Sequence, residues 1–276
     1  MERDAAGARP VARHGARAAA EGEPFRMLVR RGLRPEPGHP DLPFPPELPE
    51  PSLDRFAERL GHYGFRLFLR GALQRAGSFA PRETTRYLEA RQARRHAEFL
   101  VESGLARRLA RGRYSLLYPS RNFGGTLEWY VARELEHRFA FETATGLKTG
   151  ARGVGGDLDV VAAAEGKLVY LELKSSPPKH LDEEEMCAFA ERVTLLRPDI
   201  TVFAVDTALR LGDKVVPMLE SALRACGAST RTPACRVVHE IWAFSPHLYA
   251  VNAKPDLIAN IGRALAAGLH ALAPDP

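Results

Sequence analysis

Asp159, Glu172 and Lys174 are the residues of this chain whose types and spacing could do chemistry. The run Gly155-Gly156-Asp157-Leu158-Asp159-Val160-Val161 is followed by Lys167-Leu168-Val169-Tyr170-Leu171-Glu172-Leu173-Lys174. Each half reads as a strand, with a turn at Glu165-Gly166-Lys167, so together they form a hairpin. Alternation along a strand puts Tyr170, Glu172 and Lys174 on one side and Val169, Leu171 and Leu173 on the other. Charges on an otherwise apolar strand are costly to bury unless they pair with each other or hold a metal ion. Asp159 on the preceding strand is the natural third member, with Asp157 facing the same way.

The elements around the hairpin supply a fourth group. The helix expected over Thr126–Phe139 presents Leu127, Val131, Ala132, Leu135 and Phe139 as one apolar arc, and Glu128 falls inside it. Glu134, Glu136 and His137 lie mostly outside the arc and read as surface residues. A first strand is expected over Phe139–Thr145. After the hairpin come a helix (Asp182–Leu196), a strand (Ile200–Asp206) and a helix (Lys214–Cys226). Two strands (Arg236–Phe244 and His247–Asn252) and a closing helix (Pro255–Leu272) complete the chain. From Thr126 the order is α-β-β-β-α-β.

That order, with a helical Glu, Gly-Gly-Asp-Leu-Asp and Glu-Leu-Lys, resembles the PD-(D/E)XK nuclease superfamily of restriction endonucleases and Holliday-junction resolvases. The resemblance covers roughly residues 123–252. Leu158 stands where the literal motif has Pro, and either Asp157 or Asp159 could be the main metal ligand. The resemblance implies an α/β fold with a restriction-endonuclease-like αβββαβ core and phosphodiester hydrolysis with Mg²⁺ or Mn²⁺. By it, Asp159, Glu172 and the carbonyl of Leu173 hold the metal and Glu128 completes or extends the site. Lys174 orients or deprotonates the attacking water and stabilises charge on the phosphate. Hard divalent ions take oxygen ligands and relieve phosphate charge, which suits this residue set.

The half before the site is basic. Residues 1–127 carry 23 Lys+Arg against 14 Asp+Glu, which leaves 16 against 20 for residues 128–276. Residues 1–51, rich in Arg, Ala, Gly and Pro, read as a flexible basic arm. Residues 52–120 read as helices, including Pro81–Leu88 and Arg91–Ser103, followed by a hairpin whose tip is Ala110-Arg111-Gly112-Arg113. Residues 64–118 thereby resemble a winged helix-turn-helix. By position Arg91, Gln92, Arg94 and Arg95 would face a DNA groove, and Arg107, Arg108, Arg111 and Arg113 the backbone. Between Arg66 and Arg113 twelve arginines face four acids, more than pairing alone neutralises. Residues 121–276 form the nuclease-like domain.

Composition narrows the setting. The 276 residues carry a formal charge of +5, and the three cysteines, Cys187, Cys226 and Cys235, lack metal-site spacing. No apolar run approaches a membrane span. The expectation is a cytoplasmic, metal-dependent endonuclease that hydrolyses DNA, with a homodimer compatible with cutting both strands. Two other readings share these residues: a catalytically silent DNA-binding or regulatory protein on a nuclease fold, and a nuclease directed at RNA. His180 with Glu183, Glu184 and Glu185, then Lys179, His239, His247 and Trp242, are weaker candidates, read as helix-end, loop, core or surface residues.

Overall fold

The computed structural model describes residues 22–38, 40–75, 77–149, 157–228 and 233–273. Gly155 and Gly156 of the expected motif, and residues 1–21 of the expected arm, lie outside them. Among the described residues there are eight α-helices and two sheets, of two and seven strands.

The large sheet is mixed. Its strands are β3 (Glu142–Lys148), β4 (Asp157–Ala164), β5 (Lys167–Lys174), β6 (Ile200–Val205), β7 (Cys235–Val238), β8 (Ile241–Ser245) and β9 (Leu248–Asn252), in the order β3-β4-β5-β6-β9-β8-β7. β5, β6 and β9 run parallel and the outer pairs antiparallel. The expected strand over Arg236–Phe244 is two strands, because His239 takes a left-handed φ of 50° and turns the chain back on itself.

Each face of the sheet has its own core. Val160, Ala162, Val169, Leu171 and Leu173 pack under α5 (Gly124–Phe139) and the closing helix Leu257–Leu272. Leu158, Val161, Leu168 and Tyr170 pack under α6 (Glu183–Leu196) and the helix Val215–Ala225. The central strands are buried on both sides, which is why β6 reads Ile-Thr-Val-Phe-Ala-Val without polar alternation.

The helical half joins the first of these cores. α2 (Glu50–Gly61), α3 (Tyr63–Leu73) and α4 (Ala90–Glu102) precede a small hairpin of β1 (Ala106–Arg108) and β2 (Tyr114–Leu116). Phe56, Phe65, Phe68 and Phe99 belong to the same apolar cluster as the sheet residues of that face. The helix expected over Pro81–Leu88 is only a 3-10 turn, Pro81–Glu83, with Glu83 accepting from the Ala80 amide at 3.0 Å.

From residue 22 onward the stretch expected as a flexible arm is packed. α1 (Glu23–Arg30) buries Met27 and Leu28 in the second core, and Arg31 reaches Asp199 at 2.8 Å. Glu36 then exchanges backbone hydrogen bonds with Lys148, extending the edge of β3, and Phe44 packs edge-on to Phe56 and Trp129. The prolines between α1 and α2 disfavour regular structure there without preventing burial, since Pro brings apolar surface at little entropic cost.

Candidate active site

β4 and β5 form a regular antiparallel ladder from Ala164↔Lys167 to Val160↔Leu171, and there it stops. Beyond that pair the Asp159 carboxylate takes the place of a backbone acceptor, its Oδ2 receiving the Leu173 amide at 2.7 Å. A second irregularity lies on the other side. The pairs Thr145↔Val160 and Leu147↔Leu158 flank Gly146, whose φ of 60° suits a residue without a Cβ. There the alternation of β4 slips: Leu158 joins the same core as Val161, whereas an unbroken strand would place it with Val160. The fork and the slip open the sheet at Asp159.

The opening leads into a cleft of about 700 Å³ lined by Asp157, Asp159, Glu172, Lys174 and residues of α6. Asp157 and Asp159 both border it, so the choice between them stays open. Glu172 is only 2 % exposed. Its Oε1 is 2.8 Å from the Arg192 guanidinium and 3.1 Å from Lys174 Nζ, while Oε2 accepts from the Tyr170 hydroxyl. Arg192 Nε also donates to the Tyr170 oxygen at 3.0 Å. Lys174 Nζ further donates to Glu185 Oε1 at 3.1 Å. Burial works against the Lys174 charge, but Glu172 and Glu185 outweigh it and hold the pKa above the ordinary lysine range.

Glu128 lies close enough to feel these groups. Burial first, then the charges of Asp157 and Glu172, push its carboxyl up to about 7. Asp159 is raised well above the usual range by burial, with Glu172 and Glu128 adding to it; the Leu173 amide and Lys174 oppose the rise. Glu128, which the helical wheel turned inward, thus lies near Asp157 and Glu172 without lining the cleft itself. Glu134, expected at the surface with Glu136 and His137, is only 12 % exposed in its side chain, and burial raises its pKa.

Among the described residues no three carboxylate, imidazole or thiol groups are gathered closely enough to grip a metal ion as they stand. The chemistry of the donors nevertheless fits one. Seven of the residues lining the cleft are acids, against the two cations Lys174 and Arg192. Carboxylates that raise one another's pKa would be relieved by a hard divalent cation with oxygen ligands.

Arg192 is absent from the sequence expectation, and Glu185 entered it only as a helix-end acid. Arg192 sits three residues after Phe189 and four before Leu196, both buried, so it lies within the apolar side of α6 as Glu128 does within α5. The same wheel test applied to α6 would have found it. Asp182 caps α6 by accepting the Glu185 amide at 2.9 Å, which accounts for part of the acidic first turn.

The arginines of the expected nucleic-acid face divide into two groups. Arg91, Gln92, Arg94 and Arg95 on α4, with Arg107 and Arg111 on the small hairpin, are exposed. Arg108 pairs with Glu98, and Arg113 is held by Ser78 and Glu83, its Nη2 donating to the Ser78 carbonyl at 2.8 Å. His247 and Trp242 lie on or beside the late strands, away from the cleft lining, and Trp242 Nε1 donates to Glu240 at 3.3 Å. Among the described residues no helix is long and apolar enough to cross a membrane.

No family model matches the chain, and no curated protein matches it in sequence. Solved structures share the fold, among them the following two. Protein VC1899 from Vibrio cholerae aligns over 88% of this chain and 61% of its own, at 14% identity and a TM-score of 0.52. Can2 from Sulfobacillus thermosulfidooxidans, in complex with cyclic tetra-adenylate, aligns over 89% of this chain and 61% of its own, at 16% identity and a TM-score of 0.50. The chain therefore spans about three fifths of the length of the structures it matches, and what it shares with them is a mixed α/β architecture.

Proposed function

We propose that the chain is a metal-dependent nuclease of the PD-(D/E)XK type, acting on nucleic acid brought to it by the basic helical module. The observation that carries this reading is the meeting of Asp159, Glu172 and Lys174 where β4 and β5 part, inside one acidic cleft. A polyanion does not enter such a cleft unaided, so the carboxylates need a cation to serve it.

Asp159 and Glu172 would hold Mg²⁺ or Mn²⁺, with Glu128 or Asp157 and the carbonyl of Leu173 as further oxygen donors. The ion supplies Lewis acidity, relieving charge on the phosphate and easing ionisation of the attacking water. Lys174, whose pKa Glu172 and Glu185 raise in the metal-free protein, would orient the water or take its proton and stabilise charge on the phosphate. Arg192 and Tyr170 fix the Glu172 carboxylate. The cyclic tetra-adenylate bound by Can2 is itself a nucleotide ligand, which supports a nucleic-acid setting and leaves DNA and RNA both as substrates.

The test is cleavage of plasmid DNA, branched DNA and single-stranded RNA with Mg²⁺. Asp159→Ala and Lys174→Ala are expected to lose at least about 100-fold in rate. Wild-type cleavage that both variants retain would put the site elsewhere.

A second reading has its own observation. Both Glu172 oxygens already have protein partners, as befits a nucleic-acid-binding protein that keeps the fold without turnover. Calorimetric titration with Mn²⁺ separates the two: the nuclease binds the ion with an affinity that Glu172→Gln lowers, whereas a silent scaffold shows no binding that depends on Glu172.

A further inference from the structure

A second cleft, of about 590 Å³, lies between the helical module and the carboxyl ends of β5 and β6. Its size falls in the range of small-ligand pockets, about 300–1,000 Å³. One wall comes from α3 and the segment through Tyr87; the other comes from Ser176, Pro177 and His180 and from the β6 exit through Leu209. The first cleft is bordered by Lys174 and Asp182, so the loop between them is a partition with one cleft on each side. Two residues of extended chain, about 7 Å, separate Lys174 from Ser176.

The first cleft is acidic, whereas the second carries little net charge and a largely uncharged lining. Asp206 is the one acid lining the second, and its oxygens are taken by Arg66 at 2.9 Å and Arg70 at 2.8 Å. Arg70 keeps its buried Nε without a hydrogen-bond partner among the described residues. On the rim Tyr87 is 67% exposed even though the Arg86 guanidinium lies over its ring at 5.0 Å, and Leu209 opposite it is 58% exposed. Large apolar side chains left this open on facing walls, with the Arg70 guanidinium in the lining between them, offer a flat apolar ligand with negative charge beside it a place to bind. A nucleobase with its phosphate has that form, and aromatic and Arg stacking is how unpaired bases are held without regard to sequence.

We infer that this cleft holds an unpaired base of the nucleic-acid strand whose phosphate lies at the acidic cleft, with Tyr87 as the stacking residue. The inference rests on the nuclease reading for its partner class. A base locked in a duplex cannot enter a cleft between two walls, so the substrate is single-stranded, or locally opened, at this point. Tyr87 and Leu209 then determine specificity for strand form, and the acidic cleft performs the chemistry.

The experiment measures binding without turnover. Fluorescence anisotropy in EDTA follows the full chain with single-stranded DNA, single-stranded RNA and duplex DNA of about 12 nucleotides. Tyr87→Ala is expected to weaken single-strand binding by about 5- to 150-fold and leave duplex binding within about twofold, while Tyr87→Phe keeps wild-type affinity. Leu209→Ala gives a smaller loss in the same direction. An abasic position placed in turn along the single strand should reproduce the Tyr87→Ala loss at one position, and cost nothing further in the variant. The DNA and RNA arms tell which sugar is accepted. Unchanged thermal melting verifies folding, as expected for so exposed a residue. Wild-type affinity in Tyr87→Ala, equal losses on single strand and duplex, or no single-strand binding by the wild type would each overturn the inference. Because no cleavage is measured, the nuclease reading can fail while this binding stands, and the reverse.

Discussion

Lys174 and Asp206 stand side by side at the ends of two parallel strands, the Asp206 amide donating to the Lys174 carbonyl at 2.8 Å. The Asp206 carboxylate in turn takes Arg66 and Arg70 from α3, and Arg66 also donates to the Leu60 carbonyl at 2.6 Å. One buried aspartate therefore ties the helical module to the strand end that carries the candidate catalytic lysine. Asp206 and Arg66 are each 1 % exposed, so neither charge can turn to water if the other is removed.

Asp206→Asn is expected to cost about 3–5 kcal/mol, since it leaves two arginines buried without their counter-charge. Urea unfolding measures it. The double variant Arg66→Met, Asp206→Leu should recover part of the loss, because a buried pair can be replaced by apolar residues of similar volume at little cost. A single-variant loss under about 1 kcal/mol would mean that the pair does not hold the modules together.

Arg192→Met should destabilise the metal-free protein by about 3 kcal/mol, because Glu172 keeps its buried charge and loses a cation at 2.8 Å. Mn²⁺ should then raise the melting temperature of the variant more than that of the wild type, as the ion takes over the counter-charge. Equal shifts in the two proteins would show that Glu172 does not ligate the ion.

His96 predicts an acid-sensitive helical module. It lies 5.3 Å from the Phe65 ring and 5.5 Å from that of Phe68, with Nδ1 lacking a partner among the described residues. Burial first, then Arg59, His62 and Arg95, lower its pKa from 6.5 to about 4. The folded state binds fewer protons than the unfolded chain between those values, so stability is full above pH 6.5 and is lost as pH falls towards 4. The loss is on the order of 2 kcal/mol after allowing for partial exposure. His96→Phe should flatten this dependence in urea melts at pH 5 and pH 7, and a parallel slope in the variant would place the acid sensitivity in another group.

The exposed arginines predict a salt signature. Arg94→Gln and Arg111→Gln should each lower the slope of log K against log salt for duplex binding by about 0.9 per lost phosphate contact. Arg113→Gln should instead lower stability, since Arg113 bonds Ser78 and Glu83 inside the module. Slopes unaltered by the first two substitutions would remove the helical module from nucleic-acid contact.

Local pattern was enough to read the hairpin, the α-β-β-β-α-β order and the inward facing of Glu128 on its helix, because strand alternation and the helical wheel fix which way a side chain faces before any tertiary contact forms. The same rules reached the basic face of α4 and the small hairpin. They could not reach Arg66 and Asp206, which meet across 140 residues, nor the packing of residues 22–50 against both cores. Nor could they anticipate that β4 leaves β5 at Asp159, since strand pairing depends on the register of neighbours and on Gly146 opposite the slip. The sequence by itself determined that some charged residues, Glu128 and Glu172 among them, had to face inward; only tertiary structure decided that Arg66 and Asp206 do so as well and which of these charges meet, because the partner of a buried charge is chosen by packing between elements far apart in the chain.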